Sequence, residues 1–125
     1  MRITSLTAFP IRLPRDFAGA QGTAGSPTAL AGDGNYRWST AYPVLYSVNF
    51  ETALIRVTLE DGTTGWGEAQ APLAPEVACA IADHLLRPAV VGQEFDGTEA
   101  AISALWDRMY ATMRVRGQTG GFMLD

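Results

Sequence analysis

The sequence predicts an α+β fold, with strands in its first half and helices in its second. Three observations carry this reading. Residues 50–59 alternate Ala53, Ile55, Val57 and Leu59 with Thr52, Leu54, Arg56 and Thr58, the two-residue period of a strand. Asp61-Gly62 then offers turn chemistry, and residues 64–69 return antiparallel. Beyond Pro75 the period lengthens. Val77, Ile81 and Leu85 mark one amphipathic helix, and Ile102, Leu105, Trp106, Met109 and Met113 mark another.

Taken in chain order, residues 3–13 read as a strand with Ile3, Ser5, Thr7, Phe9, Ile11 and Leu13 on one face and Leu6 and Ala8 on the other. Pro10 and Pro14 suit an edge position or an exit from the sheet. Residues 15–46 have no clear period, are rich in small and turn-forming residues, and carry their strongest turn signal at Gly32-Asp33-Gly34-Asn35. They read as one long loop, of the kind that tends to be functional in a compact domain. Tyr36, Trp38, Tyr42 and Tyr46 make its second half too aromatic for a plain linker. Asp61-Gly62 fits a type I′ hairpin, whose two central residues both take positive φ. Gly65 and Gly67 weaken the returning strand and imply that another backbone or side chain packs closely there. Residues 71–75 form a second short loop. Pro75 suits the first position of a helix and Glu76 its positive end. That helix is expected to stop before Pro88. Asp96 or Thr98 caps the next one. Phe122-Met123-Leu124 opens an apolar segment, so Asp125 reads as falling in the first turn of a third helix within a single domain, 1–125.

Composition narrows the function. A chain of 125 residues can bury roughly two thirds of its unfolded surface as one domain. The net charge of −4 argues against nucleic acid, which requires a basic face. All nine basic residues are arginine, so no lysine base, Schiff base or P-loop lysine exists here. The single cysteine, Cys79, precludes an internal disulfide and reads as a small buried apolar residue. The first residues alternate in polarity and include prolines, unlike a signal peptide, and no apolar run approaches the ~20 residues of a membrane span. A cytoplasmic protein without membrane contact is the expectation.

Chemistry-bearing motifs are sparse. His84, the lone histidine, lies beside the first helix's apolar stripe with no partner group nearby in sequence, which suits a structural role. One His and one Cys exclude the usual zinc patterns. Glu60, Asp61, Glu94 and Asp96 are explained by a hairpin tip and a helix start, and Asp83 and Asp107 by solvated helix faces. Gly62-x-x-Gly65-x-Gly67 has the wrong spacing for a phosphate cradle and enters a strand. Ser26, Ser39 and Ser47 have no histidine close by in sequence for a triad.

One segment goes further. Residues 51–70, ETALIRVTLEDGTTGWGEAQ, with Gly65-Trp66-Gly67-Glu68-Ala69 closing the strand, resemble the N-terminal capping domain of the enolase superfamily, on its mandelate racemase and muconate lactonizing enzyme side. The likeness runs from Met1-Arg2-Ile3 through Leu86-Arg87-Pro88-Ala89-Val90-Val91-Gly92-Gln93 and residues 102–110 to the glycines of 117–121. It implies a three-stranded antiparallel meander followed by a small helical bundle, with the barrel domain absent. In that family the domain covers the open end of a (β/α) barrel, where barrel active sites lie. Two loops close on the substrate, here 15–46 and 68–75. The resemblance makes Arg37, Trp38 and Tyr42 in the first loop, and Glu68 and Gln70 in the second, the candidate substrate contacts; each can serve instead as a loop anchor.

The resemblance further implies a parent enzyme that abstracts the proton α to a carboxylate, with Mg²⁺ steadying the enediolate and a barrel Lys or His as base. That parent would be a racemase, an acid-sugar dehydratase or a cycloisomerase, and residues 113–121 with the first loop look most like the dehydratases. No position here matches a metal ligand or a base, so no catalytic residue and no cofactor is assigned to this chain. The implied partners are the barrel, through it a small carboxylate, and other copies of the chain where its apolar faces need cover. A free-standing α+β binding or interaction module is the competing reading.

Overall fold

The computed structural model describes residues 1–14, 30–31, 34–39 and 43–112. Three long strands, β1 (Ile3–Pro14), β5 (Asn49–Leu59) and β6 (Thr64–Ala69), form an antiparallel sheet in the order β1-β5-β6. This is the expected meander. Three short strands, β2 (Leu30–Ala31), β3 (Tyr36–Ser39) and β4 (Val44–Ser47), make a second antiparallel sheet. The sequence reading had placed them in a loop. Strands of two to four residues are too short to establish a period, so register and neighbours decide them. Helices α1 (Pro75–Ile81), α2 (Arg87–Val90) and α3 (Glu99–Tyr110) follow.

The packed face of the main sheet corrects the first-strand expectation. Ile3 pairs with Leu59, but Ser5 pairs with Thr58, so the strand carries an extra residue between them. Such a bulge reverses the phase of everything after it. The core therefore takes Ile3 and then Leu6 and Ala8, beside Ile55, Val57 and Leu59. The Thr4 hydroxyl donates to the Thr58 carbonyl across the bulge, at 3.1 Å. On the opposite face Phe9 and Trp66 stand 5.8 Å apart, with the Arg56 guanidinium 5.4 Å from the Phe9 ring.

The hairpin between β5 and β6 also differs from expectation. Among residues 60–63 only Gly62 has positive φ, at 87°, and Leu59 donates to Thr63 O at 2.8 Å. The loop is thus Glu60-Asp61-Gly62, a three-residue connection in which one left-handed glycine suffices. Asp61 Oδ1 accepts from the Thr63 amide at 2.9 Å and fixes it.

The helical run continues through Pro88 instead of stopping before it. Residues Ala82–Leu86 form a π-helical turn between α1 and α2, and the Arg87 amide reaches back to Ala82 O. Widening the turn accommodates the ring and the missing amide of Pro88, which a regular α-helix would not. The stripe facing the sheet is Pro75, Cys79, Ala82 and Val90, while Val77 is 58% exposed. Small residues let the helix lie close to the strands, and the stripe of larger apolar residues is half-buried at Ile81 and Leu85 but exposed at Val77. Arg87 Nε donates to Leu6 O at 2.9 Å, which satisfies a carbonyl of the edge strand β1.

The first residues are tied to the α2–α3 connection. Ile3 N donates to Gln93 O at 2.9 Å and Gly92 N to Ile3 O at 2.8 Å. Thr98 caps α3, accepting from the Ala101 amide at 3.2 Å, and Asp96 in turn accepts from Thr98. The apolar stripe of α3 has the predicted spacing, yet no residue of this helix is buried. Instead Ile102, Leu105, Trp106 and Met109 line a cleft of about 720 Å³ against β5 and β6. Gly65 and Gly67 lie on its strand side, and a Cβ built at either meets nothing within 4 Å among the described residues. The close neighbour expected there is not found. The expected third helix and the glycines of 117–121 lie outside the described residues, as does Met113.

Candidate functional site

The two loop regions meet at one end of the main sheet, and a polar cluster holds them there. Arg12 and Glu51 are register partners on β1 and β5. Tyr36 comes from β3, Ser47 from β4, and Ala74 and Glu76 from the start of α1. The Glu51 side chain is wholly buried. Its Oε2 accepts from the Tyr36 hydroxyl at 2.7 Å, and its Oε1 accepts from the Ser47 hydroxyl. Arg12 Nε lies 3.5 Å from Glu51 Oε1, close enough for charge attraction. The other end of the guanidinium grips Glu76 with two nitrogens, Nη2 at 2.6 Å from Oε2.

Tyr36 is the junction. Its oxygen donates to Glu51 and accepts from the Ala74 amide at 2.7 Å and from Arg12 Nη2 at 3.2 Å. A phenol has one donor and two lone pairs, so this oxygen is saturated. Ala74 has φ 50° and ψ 58°, a left-handed conformation that costs a non-glycine residue about 1 kcal/mol or more. The bond from its amide to Tyr36 helps to hold it there.

The electrostatics are those of a fixed cluster. Burial pushes the Glu51 carboxyl up, but bonds from Ser47 and Tyr36 and the charge of Arg12 outweigh it and hold the group below the usual carboxylate range. Hydrogen bonding from Arg12 also lowers Glu76, and hydrogen bonds to Glu76 and Tyr36 raise Arg12 above the usual guanidinium range. Both acids are therefore ionised at neutral pH, and neither is poised to transfer a proton. Cys79 is no nucleophile, because burial first and then Asp83 and Glu76 push its thiol up. His84 is exposed on the π turn.

Four of the five sequence-predicted contacts, Arg37, Trp38, Glu68 and Gln70, are among the described residues, and no hydrogen bond or ion pair joins the first pair to the second. Arg37 pairs with Tyr46 and Trp38 with Leu45 in the small sheet, and Trp38 is 46% exposed. Glu68 is exposed at the end of β6, where its Oε1 accepts from Thr52 Oγ1 at 2.6 Å, an anchoring bond within the sheet. Gln70 is exposed beyond the strand. Tyr42 lies outside the described residues. The sequence reading missed Arg12, Glu51 and Tyr36 as site residues. Tyr36 is adjacent to the predicted Arg37, and the alternation of a short strand decides which of the two points to the cluster.

Mg²⁺ does not fit the described residues. No three His, Cys, Asp or Glu residues among them come together. Glu51, Glu76, Asp83 and Glu94 are each engaged by an arginine, and Asp61 and Asp96 by threonines. No helix among them is long and apolar enough to cross a membrane.

Comparison with known proteins finds relatives of this fold. No protein-family model and no curated protein matches the chain. Solved structures do. A candidate isomerase from Sinorhizobium meliloti is 30% identical, with a TM-score of 0.77, over 98% of this chain and 30% of its own. A member of the enolase superfamily from Agrobacterium tumefaciens is also 30% identical, with a TM-score of 0.75, over 98% of this chain and 30% of its own. A racemase from Streptomyces coelicolor with bound magnesium shares the fold at 21% identity and a TM-score of 0.60, over 97% of this chain and 27% of its own. The chain is thus similar along nearly all its length to the Sinorhizobium protein and to the enolase-superfamily member, shares its fold with the racemase, and spans under a third of each.

Proposed function

We propose that residues 1–125 are the substrate-capping domain of an enolase-superfamily enzyme of the mandelate racemase and muconate lactonizing type. One observation carries this reading: near-complete coverage of this chain at 30% identity by proteins more than three times as long. The segments joined at Tyr36 include the two loops that the resemblance assigns to substrate closure. A cover held in one shape can exclude water from a barrel mouth and select what enters.

The reaction of the parent is abstraction of a proton α to a carboxylate, in a racemase, acid-sugar dehydratase or cycloisomerase. Magnesium chemistry belongs to the barrel in this proposal, and this chain alone is inactive. Trp38 is supported by its exposure, and half-buried Arg37 beside it by a positive charge suited to a substrate carboxylate. Tyr42, Glu68 and Gln70 complete the proposed set. The test is the reading frame around the gene segment that encodes these residues. A barrel with a Lys-x-Lys pair or three acidic strand ends supports the capping role; a complete frame lacking any barrel overturns it. The free-standing module is then preferred, because the chain has its own sheet, helices and core.

A further inference from the structure

We infer that the Tyr36 hydroxyl is a latch that makes the small sheet and the turn preceding α1 move as one unit. The chain separates these segments widely: Tyr36 and Ala74 are 38 residues apart. Yet the Ala74 amide donates to the Tyr36 oxygen at 2.7 Å, and the same oxygen donates to Glu51 at 2.7 Å. Glu51 is buried on the central strand of the main sheet and also accepts from Ser47, the β4 register partner of Tyr36. Both strands of the small hairpin therefore rest on one carboxylate, and the α1 turn rests on the phenol above it.

Arg12 closes the ring. It reaches Tyr36 at 3.2 Å while holding Glu76, one residue past Pro75. Opening the turn requires breaking the Ala74 and Glu76 bonds, which strips donors or acceptors from Tyr36 and Arg12. Displacing the small sheet strips them from Glu51. Because buried polar groups are costly to leave unpaired, neither movement occurs cheaply without the other. Ala74 adds directionality. Its left-handed backbone is unfavourable for alanine, so releasing its amide also releases strain and favours a changed turn. Tyr36 is a positioning residue in this account. The coupling concerns contacts within this chain and stands or falls separately from any capping role.

Amide hydrogen exchange on the full chain tests it, with Tyr36→Phe set against Tyr46→Phe. The second variant makes the same chemical change in the same small sheet, at a residue that pairs with Arg37 rather than with Tyr36. In Tyr36→Phe the Ala74 amide is expected to exchange about fivefold to tenfold faster, as loss of one hydrogen bond implies. The Val48 amide, which donates to Asn35 O beside the small sheet, accelerates with it. Amides in the middle of β5 change less than twofold, and Tyr46→Phe alters neither reporter. Unchanged exchange at Ala74 in Tyr36→Phe overturns the latch. So does acceleration at Ala74 without Val48, or an equal effect in Tyr46→Phe.

Discussion

Arg12 and Glu51 face each other across β1 and β5, and the Glu51 carboxylate is wholly buried with Arg12 Nε 3.5 Å away. A buried acid with one charge partner is tolerable only while that partner remains. Arg12→Ala leaves Glu51 with two hydroxyl donors and no cation, and frees Glu76 from its grip. A lower urea midpoint than that of the parent chain is expected. Glu51→Gln keeps one acceptor oxygen for the two hydroxyls and leaves no buried charge behind, so it is expected to cost less than Arg12→Ala.

The same carboxylate gives the chain an acid limb. Glu51 is held below its ordinary value, so the folded chain binds fewer protons there than the unfolded chain. Its contribution to stability is complete above the unfolded value, about 4.3, and is lost as pH falls toward the folded value. Glu51→Gln removes that titration. Its unfolding free energy is expected to fall less steeply than the parent's between about pH 5 and pH 3, measured by denaturant midpoints across that window.

The bulge after Ile3 makes Leu6 a core residue, 5% exposed, where simple alternation would turn it outward. Leu6→Ala is expected to cost about 3 kcal/mol by thermal or chemical melting. Ile11→Ala, which simple alternation puts on the same face as Ile3, lies outside the buried core and is expected to cost about 1 kcal/mol or less.

The glycines of β6 make the opposite prediction from the one their sequence suggests. A side chain at Gly67 meets open space over the cleft. Gly67→Val is therefore expected to leave this chain within about 1 kcal/mol of the parent, because added strand propensity offsets new exposed surface. Denaturant melts check this.

Exposed apolar residues on and near the cleft lead to a solution prediction. Ile102 is 56% exposed and Trp106 48% exposed, and both line the cleft. Concentration-dependent association is expected in sedimentation, and Trp106→Glu is expected to weaken it. A strictly monomeric chain at all concentrations that binds a small ligand by itself would support the free-standing module instead.

The legible parts of the fold were those with long periods. β5 and α3 announced themselves through alternation and a helical stripe, and the cap of α3 was narrowed to Asp96 or Thr98. The bulge at Ile3 was hidden because a single inserted residue changes the face without changing composition. The passage of the helix through Pro88 was hidden because a π turn leaves no mark in residue type. The polar cluster was hidden for another reason. Arg12, Tyr36, Glu51 and Glu76 are scattered over the chain, and only the β1–β5 register and the placement of the small sheet bring them together.

Proton exchange tests the central claim most directly. The purified chain is incubated with Mg²⁺ and an α-hydroxy carboxylate, mandelate or a six-carbon acid sugar, in heavy water, and the α-proton resonance is followed. A cover without its barrel leaves that signal undiminished over days. Loss of the signal catalysed by this chain, abolished on unfolding it, would contradict the account.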